Sequence, residues 1–318
     1  MPRDIEVGLA LPTFCPKGAE LDHGLMTRTA VWAEQKGFDT VWVPDHIFHG
    51  WQIMEALVCL SFVAARTSTI RLGTGVLLLP MRQISIAAAQ LSTLSILSEG
   101  RLQLGIGVGG EWPKEWEAAG VKLSERGARL DEQIPLLLRL FAGDTIEFNG
   151  RFNSFPGVQL CPQPPHVPLY FAGRAEAAIE RVAKFGDAWL AYYLTPSGFK
   201  RDKAKLDQAR ERLGQANRPF RYGMTLPFYF DAKNDDTDLR AAQLMNASFP
   251  PGLALTPDET LRRFVLAGTP ARVLERLQEY IDEGCDCLCV SPVETGTARE
   301  EHLDIFASEV LPRLKSSR

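Results

Sequence analysis

The most informative segment of the chain runs Arg101-Leu-Gln-Leu-Gly105-Ile-Gly107-Val-Gly109-Gly110-Glu111. Its alternation of apolar residues with glycine favours an inward-facing strand over a helix. Because glycine has no Cβ, a planar ligand can lie almost against the backbone at the end of such a strand. We expect Glu111 at the carboxyl end of the strand, pointing at that ligand. The spacing is not that of a GxGxxG nucleotide motif, so the meaning of the segment depends on its neighbours.

The composition is that of an ordinary globular protein, because 45% of the residues are hydrophobic and 23% are charged. A net charge of -4 gives no electrostatic reason to expect nucleic acid as a partner. No apolar run approaches the roughly 20 residues that cross a bilayer. The N-terminal residues lead into a strand pattern without the apolar core of a signal peptide. We therefore expect a cytoplasmic protein with neither a membrane nor a nucleic-acid partner.

The six cysteines are scattered along the chain, which argues against a disulfide framework. Cys285, Cys287 and Cys289 alternate and would share one face of a strand. A metal site is one interpretation, but no histidine cluster accompanies them. We predict instead three small buried residues and no metal site.

Strand and helix patterns alternate along the chain. The eight predicted strands begin near Ile5, Phe38, Thr69, Arg101, Pro168, Asp187, Arg221 and Asp286. Parallel strands need crossover connections, so this alternation predicts a parallel sheet covered by helices. Eight such units favour a closed (β/α)8 TIM barrel of the α/β class. An open doubly wound sheet is the alternative, although no early phosphate-binding turn supports it.

Two segments depart from this alternation. Residues 143–168 predict a small hairpin and a proline-rich connector, which we interpret as an insertion in a single domain spanning residues 1–318. Residues 231–260 predict a long irregular region, and loops of this kind often act as lids. We expect this lid to be mobile when no ligand is bound.

Several motifs, taken together, resemble those of the bacterial-luciferase-like flavin oxidoreductases. They are Trp42-Val-Pro-Asp45-His46, Leu72-Gly-Thr-Gly-Val76, Gly100-Arg-Leu-Gln-Leu-Gly-Ile-Gly107, Gly173-Arg-Ala-Glu-Ala-Ala, Gly186-Asp-Ala-Trp189 and Gly268-Thr-Pro-Ala-Arg-Val-Leu-Glu-Arg-Leu277. The resemblance covers nearly the whole chain in the same motif order. It implies a (β/α)8 barrel that binds reduced FMN or the deazaflavin coenzyme F420 at the carboxyl ends of the strands. It also implies a homodimer and an insertion after the fourth strand, which corresponds to residues 143–168.

The resemblance places Asp45 and His46 beside the flavin ring as catalytic residues. A histidine there can exchange a proton near neutral pH, whereas the plainer interpretation is a capping aspartate and a structural histidine. Glu111 corresponds to an acid/base glutamate of the sugar-phosphate dehydrogenases in this superfamily. The segment Trp112-Pro-Lys-Glu115-Trp replaces their continuation, and capping of the next helix is the alternative for Glu111.

The resemblance also implies a set of cofactor-binding residues. Gly75-Val76 match the position of a non-prolyl cis peptide behind the ring of deazaflavin enzymes, and an ordinary strand glycine is the alternative. Asp45 and Gly109-Gly110 are assigned to the ring as well. Ala172-Gly173-Arg174 precede a helix whose N-terminal N–H groups suit the cofactor phosphate, and Arg174 adds a positive charge. A plain glycine turn into a helix is the alternative there.

Three functions are compatible with these residues. The first is F420-dependent hydride transfer to or from a small organic substrate, which the Val-Pro-Asp-His and Gly-Arg-x-Glu-Ala-Ala patterns favour. The second is an FMN-dependent monooxygenase that uses O2 and reduced flavin from a separate reductase, with the 231–260 segment keeping the pocket dry. The third is a non-catalytic flavin-binding barrel, which would not need the acid/base set.

Glucose 6-phosphate is not the expected substrate. The sugar-phosphate dehydrogenases carry a tryptophan soon after the Asp-His pair at a spacing not found here, where His49 and Trp51 stand instead. Their phosphate-binding lysine and arginine set is not evident either. Five aromatic residues suggest a largely apolar pocket, namely Phe14, Trp51, Trp112, Phe228 and Tyr229. Each of them could equally pack between the barrel and its helices.

Overall fold

The structure is a computed structural model, and it describes residues 4–22, 24–231, 237–247 and 255–316. Its strands are β1 (Glu6–Ala10), β2 (Phe14–Cys15), β3 (Thr40–Val43), β4 (Gln52–Ile53), β5 (Arg71–Thr74), β6 (Leu102–Ile106), β7 (Ile146–Asn149), β8 (Ser154–Val158), β9 (Leu169–Phe171), β10 (Ala188–Ala191), β11 (Arg221–Phe230), β12 (Leu266–Gly268) and β13 (Cys287–Pro292). Its α-helices are α1 (Leu25–Lys36), α2 (Ala56–Ala64), α3 (Ile84–Leu97), α4 (Pro113–Ala118), α5 (Arg126–Ala142), α6 (Glu176–Phe185), α7 (Pro196–Arg212), α8 (Thr237–Ala247), α9 (Pro257–Arg263), α10 (Pro270–Asp282), α11 (Gly296–Ile305) and α12 (Leu311–Lys315). None of the helices in these ranges is long and apolar enough to span a bilayer.

The main sheet has the hydrogen-bonded strand order β10-β9-β6-β5-β3-β1-β13-β11-β12, and β10 also pairs with β11. This order returns on itself through eight of the described strands, while β12 is attached only to β11. The pairing is parallel, with Glu6 opposite Cys287 and Ile106 opposite Phe171. The predicted fold class, a (β/α)8 barrel, is therefore confirmed.

The chain divides into two compact units. The first unit contains Met1–Leu11, Gln35–Thr40 and Ala172–Arg318, and the second contains Pro12–Glu34 and Val41–Phe171. Each unit thus combines segments that are distant in the sequence.

In the second unit, two strand glycines, Gly73 and Gly105, provide space for neighbouring protein atoms. Trp42 is buried, and its ring lies 5.3 Å from that of Tyr170. A Cβ at Gly73 would lie 2.1 Å from Cε3 of Trp42, and a Cβ at Gly105 would lie 2.0 Å from the carbonyl oxygen of Thr74. The expectation that the glycine run leaves open space is therefore wrong at Gly105, because the backbone of the neighbouring strand fills it.

The strand predicted to begin near Thr69 is short, since β5 runs only from Arg71 to Thr74. The expected non-prolyl cis peptide follows, between Gly75 and Val76. The N–H of Gly75 donates to the carbonyl of Val43 at 2.8 Å, on one side of the strand. Leu77 then forms an isolated bridge with Ile106 on the other side, and a 3-10 turn begins at Leu79. The strand ends early because the chain changes hydrogen-bond partner at this point.

The segment 143–168 contains the predicted hairpin, in which β7 and β8 pair antiparallel. The second strand of the hairpin begins at Ser154. Glu132 of α5 holds the turn, since its carboxylate accepts the N–H groups of Arg151 at 2.9 Å and Asn153 at 2.7 Å.

Two helices, α8 and α9, occupy described parts of the segment 231–260. The prediction of an irregular region is wrong for these residues. A capping box begins α9, in which Thr256 Oγ1 accepts the N–H of Glu259 and Glu259 accepts the N–H of Thr256. Thr256-Pro-Asp-Glu259 is a helix-start signal that a search for loop residues overlooks. Residues 232–236 and 248–254 of the expected lid lie outside the described residues, so the lid stays a prediction.

Candidate functional site

Three segments of the second unit carry the predicted catalytic and ring-binding residues. Asp45-His46 follow β3, Gly75-Val76 follow β5 and Gly109-Gly110-Glu111 follow β6. Leu78 connects them, because its N–H donates to Asp45 Oδ2 at 2.8 Å and its Cδ2 lies 2.8 Å from the position of a Cβ at Gly109. The structure therefore brings these three segments together, as barrel strands do at their carboxyl ends.

Asp45 is buried and bound on both carboxylate oxygens. Arg82 donates to Oδ2 at 2.7 Å and to Oδ1 at 2.8 Å, and the N–H of Leu78 adds a third donor. Burial disfavours the guanidinium charge, but Asp45 outweighs it and raises the pKa of Arg82. Arg82 also bonds Glu55 at 3.0 Å, which caps α2. Through Arg82, Asp45 thus connects the segment after β3 to the N-cap of α2 and to the residues that precede α3.

His46 has a buried carboxylate as its partner. Its Nδ1 lies 2.9 Å from Oε1 of Glu115, and the N–H of Ile47 donates to Oε2 at 3.2 Å. The side chain of Glu115 is 0% exposed, whereas that of His46 is 21% exposed. Sequence reasoning missed Glu115, which it treated only as part of a divergent segment. Its position next to Trp116, on the buried side of α4, was the available signal.

His49 stands beside His46, with the ring centroids 5.0 Å apart. Burial, together with the charge of His46, lowers the pKa of His49 to about 4. The ring is therefore neutral at pH 7, and because Nδ1 accepts the N–H of Trp51 at 3.0 Å, its hydrogen is on Nε2. The ring of Trp112 lies 4.6 Å from that of His49. Gly50 is required there, because a Cβ would lie 2.4 Å from Trp112.

Glu111 is not at the end of the strand. It lies in an exposed bend, five residues after Ile106, the last residue of β6. Gly109 and Gly110 have φ values of +50° and +128°, and they redirect the chain before Glu111. The alternative role of Glu111 is also wrong, because the residue at the N-cap of α4 is Trp112. A catalytic role for Glu111 stays a prediction.

The residues predicted to bind the cofactor phosphate lie in the first unit. Gly173 has a φ of +116°, and a Cβ there would lie 2.7 Å from Cβ of Ala178 in α6. Arg174 is exposed and donates to the carbonyl of Tyr193 at 3.1 Å. The N-cap of α6 is Ala175, so no side chain accepts from the first N–H groups of this helix. This donor set, which begins after Ala172, suits a phosphate group.

The five aromatic residues of the expected pocket have two different environments. Phe14 contacts Trp51 at 5.7 Å, and Trp112 covers His49, so these three lie near His46 in the second unit. Phe228 is fully buried and stacks on Phe306 at 4.7 Å, and Tyr229 is buried against His302. The pocket prediction is therefore wrong for Phe228 and Tyr229, which are packing residues.

Cys285, Cys287 and Cys289 are buried, as predicted. Burial raises the pKa of the Cys289 thiol to about 12 and that of Cys287 well above its usual value. These thiols are therefore protonated at neutral pH and serve in packing. Across the part of the chain that the structure describes, no group of three or more His, Cys, Asp or Glu residues could hold a metal ion.

Comparisons with known proteins agree with this geometry. The family model for luciferase-like monooxygenases matches residues 13–287. The chain is similar to an F420-dependent glucose-6-phosphate dehydrogenase from Kineococcus radiotolerans, with 29% identity over 323 residues that cover 92% of this chain and 93% of that protein. An F420-dependent secondary alcohol dehydrogenase, solved with an F420-acetone adduct, has a TM-score of 0.83 at 19% identity and covers 97% of this chain and 98% of its own. The monooxygenase RslO1 from Streptomyces bottropensis has a TM-score of 0.83 at 22% identity, and the match covers 97% of this chain and 99% of RslO1. At these identities the two solved structures show the shared fold.

Proposed function

We propose a specific reaction for this chain, which belongs to the luciferase-like monooxygenase family and is an oxidoreductase of that family. The proposed reaction is the transfer of a hydride between coenzyme F420 and a small organic substrate. The observation that carries the proposal is the imidazole of His46, which is partly exposed and held by the buried carboxylate of Glu115. Moving a hydride to or from a carbon that bears a hydroxyl or carbonyl group requires a group that exchanges a proton. His46 is that group.

The donor set of the chain fits a deazaflavin. The N-terminus of α6, which no side chain caps, and the exposed Arg174 suit its phosphate. Asp45, Gly75-Val76 and Gly109-Gly110 are the residues proposed for its ring. When bound, the deazaflavin supplies a carbon centre that accepts or donates a hydride. Similarity to an F420-dependent dehydrogenase along almost the whole chain supports this cofactor.

We propose a largely apolar substrate. Three aromatic residues lie beside the histidine pair in the second unit, and they are Phe14, Trp51 and Trp112. His49 is neutral there and offers an Nε2–H donor, which suits an uncharged oxygen atom of the substrate. A few placed polar groups on an apolar wall are typical of small-molecule sites.

The second candidate is an FMN-dependent monooxygenase that receives reduced flavin from a separate reductase and uses O2. Membership of the luciferase-like monooxygenase family favours this function. The two candidates differ in their cofactor, and cofactor binding therefore separates them.

The test is a pair of fluorescence titrations of the full-length protein, one with F420 and one with reduced FMN under anaerobic conditions. We expect F420 to bind and reduced FMN to bind at least about tenfold more weakly. The Arg174→Gln variant should weaken F420 binding about tenfold, because a charge-assisted bond to phosphate contributes about 1.5–3 kcal/mol. Lys184→Gln, at the other end of α6, is the control and should bind as the wild type does.

Tight binding of reduced FMN with negligible binding of F420 would replace the first candidate by the second. Binding of neither would overturn both.

A further inference from the structure

A carboxylate that is fully withdrawn from solvent lies behind the proposed proton-exchange residue. Both oxygens of Glu115 face consecutive residues of one segment, with His46 Nδ1 at 2.9 Å and the N–H of Ile47 at 3.2 Å. Within the described residues, the other ring nitrogen of His46, Nε2, forms no hydrogen bond. The imidazole is therefore bound at one nitrogen and available at the other.

An ionised carboxylate has only acceptors, so the hydrogen between Glu115 and His46 must be on Nδ1. A neutral imidazole carries one ring hydrogen, and Nε2 then keeps its lone pair. We propose that Glu115 is a positioning residue, which holds His46 in the Nδ1–H tautomer and leaves Nε2 to exchange the proton of the reaction. The proton exchange at Nε2 rests on the proposed function, whereas the tautomer of His46 does not depend on it.

For a substrate with a hydroxyl-bearing carbon, the O–H bond would break in the oxidative direction and its proton would go to Nε2. A bound deazaflavin would supply the acceptor for the hydride of the C–H bond. The carbon–oxygen bond becomes a carbonyl, and the imidazolium lies against Glu115 until Nε2 releases the proton to solvent. In the reductive direction Nε2 delivers the same proton to the carbonyl oxygen.

His49 does not compete with His46 for this proton. Its Nδ1 accepts the N–H of Trp51 at 3.0 Å, and its half-buried ring lies 5.0 Å from that of His46 and 4.6 Å from that of Trp112. Of these two rings, His46 is the one that has the carboxylate partner.

The first test measures the tautomer without cofactor or substrate. In protein labelled with 15N-histidine, above about pH 8 where an ordinary imidazole is neutral, we expect the ring shifts of His46 to show a protonated Nδ1. The His46→Gln variant identifies the His46 signals among the five histidines. In Glu115→Gln the amide can donate to Nδ1, so the tautomer should change to Nε2–H. An unprotonated Nδ1 in the wild type overturns the inference, whatever the cofactor proves to be.

The second test measures turnover with F420 and a panel of small ketones and secondary alcohols. Glu115→Gln should lower kcat at least about 100-fold with KM changed less than about threefold, because a wrong histidine tautomer removes general acid–base catalysis. Glu115→Asp keeps an acceptor and should recover part of the loss. Glu117→Gln, an exposed residue of the same helix, is the matched control and should behave as the wild type does.

The outcomes separate the inference from the proposed function. A kcat for Glu115→Gln within about threefold of the wild type, in a variant that melts at the same temperature, overturns the inference. If Glu115→Gln does not fold, the wild-type tautomer and Glu115→Asp still test it. If the wild type uses neither F420 nor FMN, the proposed function fails while the tautomer measurement stands.

Discussion

Asp45 and His46 are adjacent in the chain, but their side chains have different roles. Asp45 is bound through both oxygens to Arg82, so it stabilises the position of the segment. His46 is held at one nitrogen only and keeps a partly exposed ring. A substitution at each of the two residues should therefore separate stability from activity.

The His46→Ala variant should lose activity much more than stability. We expect turnover to fall by about 10²- to 10⁴-fold, because general acid–base catalysis by one side chain contributes roughly that much. The free energy of unfolding, measured by urea denaturation, should change by less than about 1.5 kcal/mol. His166→Ala, which alters an exposed histidine, is the control. Parallel losses of activity and stability would instead indicate a structural His46.

The Asp45→Asn variant should be destabilised by about 1.5–3 kcal/mol, because the mostly buried guanidinium of Arg82 loses its buried carboxylate partner and keeps only the more exposed Glu55. Asp144→Asn breaks an exposed pair with Arg139 and should cost no more than about 1 kcal/mol. Urea denaturation at neutral pH measures both. An Asp45→Asn protein that is as stable as the wild type but no longer binds F420 would show that Asp45 acts on the cofactor directly.

At the scale of elements, a carboxylate in α1 holds the loop that leads into β5. Glu34 Oε1 accepts the N–H groups of Ser68, Thr69 and Ile70 at 2.6–2.9 Å. Burial disfavours the charge, but these backbone donors outweigh it and lower the pKa of Glu34 to about 2. The ionised form is therefore favoured in the folded state, and the contact stabilises the position of β5 relative to α1.

The contribution of Glu34 to the free energy of unfolding should depend on pH. Its folded-state pKa of about 2 is below the ordinary value of 4.5, so the stabilisation is fully present above pH 4.5 and is lost as the pH falls towards 2. We expect Glu34→Gln to lower the free energy of unfolding at pH 7 by about 1–2 kcal/mol, a figure reduced for partial exposure to solvent. The difference in the free energy of unfolding between Glu34→Gln and the wild type, measured by urea denaturation, should become smaller at lower pH. A difference that is constant with pH would mean that the charge of Glu34 is not involved.

At the scale of the whole molecule, two neighbouring helices of the second unit expose an apolar surface. Neither α2 nor α3 contains a charged residue. Val58, Phe62, Ile86 and Leu97 are 69%, 54%, 57% and 72% exposed. Several exposed apolar side chains on two uncharged helices are typical of an interface. We propose that a second copy of the chain covers this surface, because two-fold pairing lets one uncharged surface contact itself.

Placing a charge on this surface should therefore prevent self-association. We expect the wild type to be a dimer at micromolar concentration and Phe62→Glu to be a monomer, as measured by light scattering after size-exclusion chromatography. Leu239→Glu alters an exposed apolar residue of α8 in the other unit and should leave the mass unchanged. A monomeric wild type, or a dimeric Phe62→Glu protein, would contradict the assignment of this surface.

The amino-acid sequence by itself determined the eight strand–helix units, because apolar periodicity and glycine or proline stops are local properties. The predicted start of β11 at Arg221 agrees with the structure, and the hairpin at 143–168 was also predictable. Only the tertiary structure decided the environment of the site. Glu115 pairs with His46 across 69 positions, and Arg82 pairs with Asp45 across 37. Such partners meet because the barrel brings distant strand ends together, and no local pattern encodes which side chains then touch.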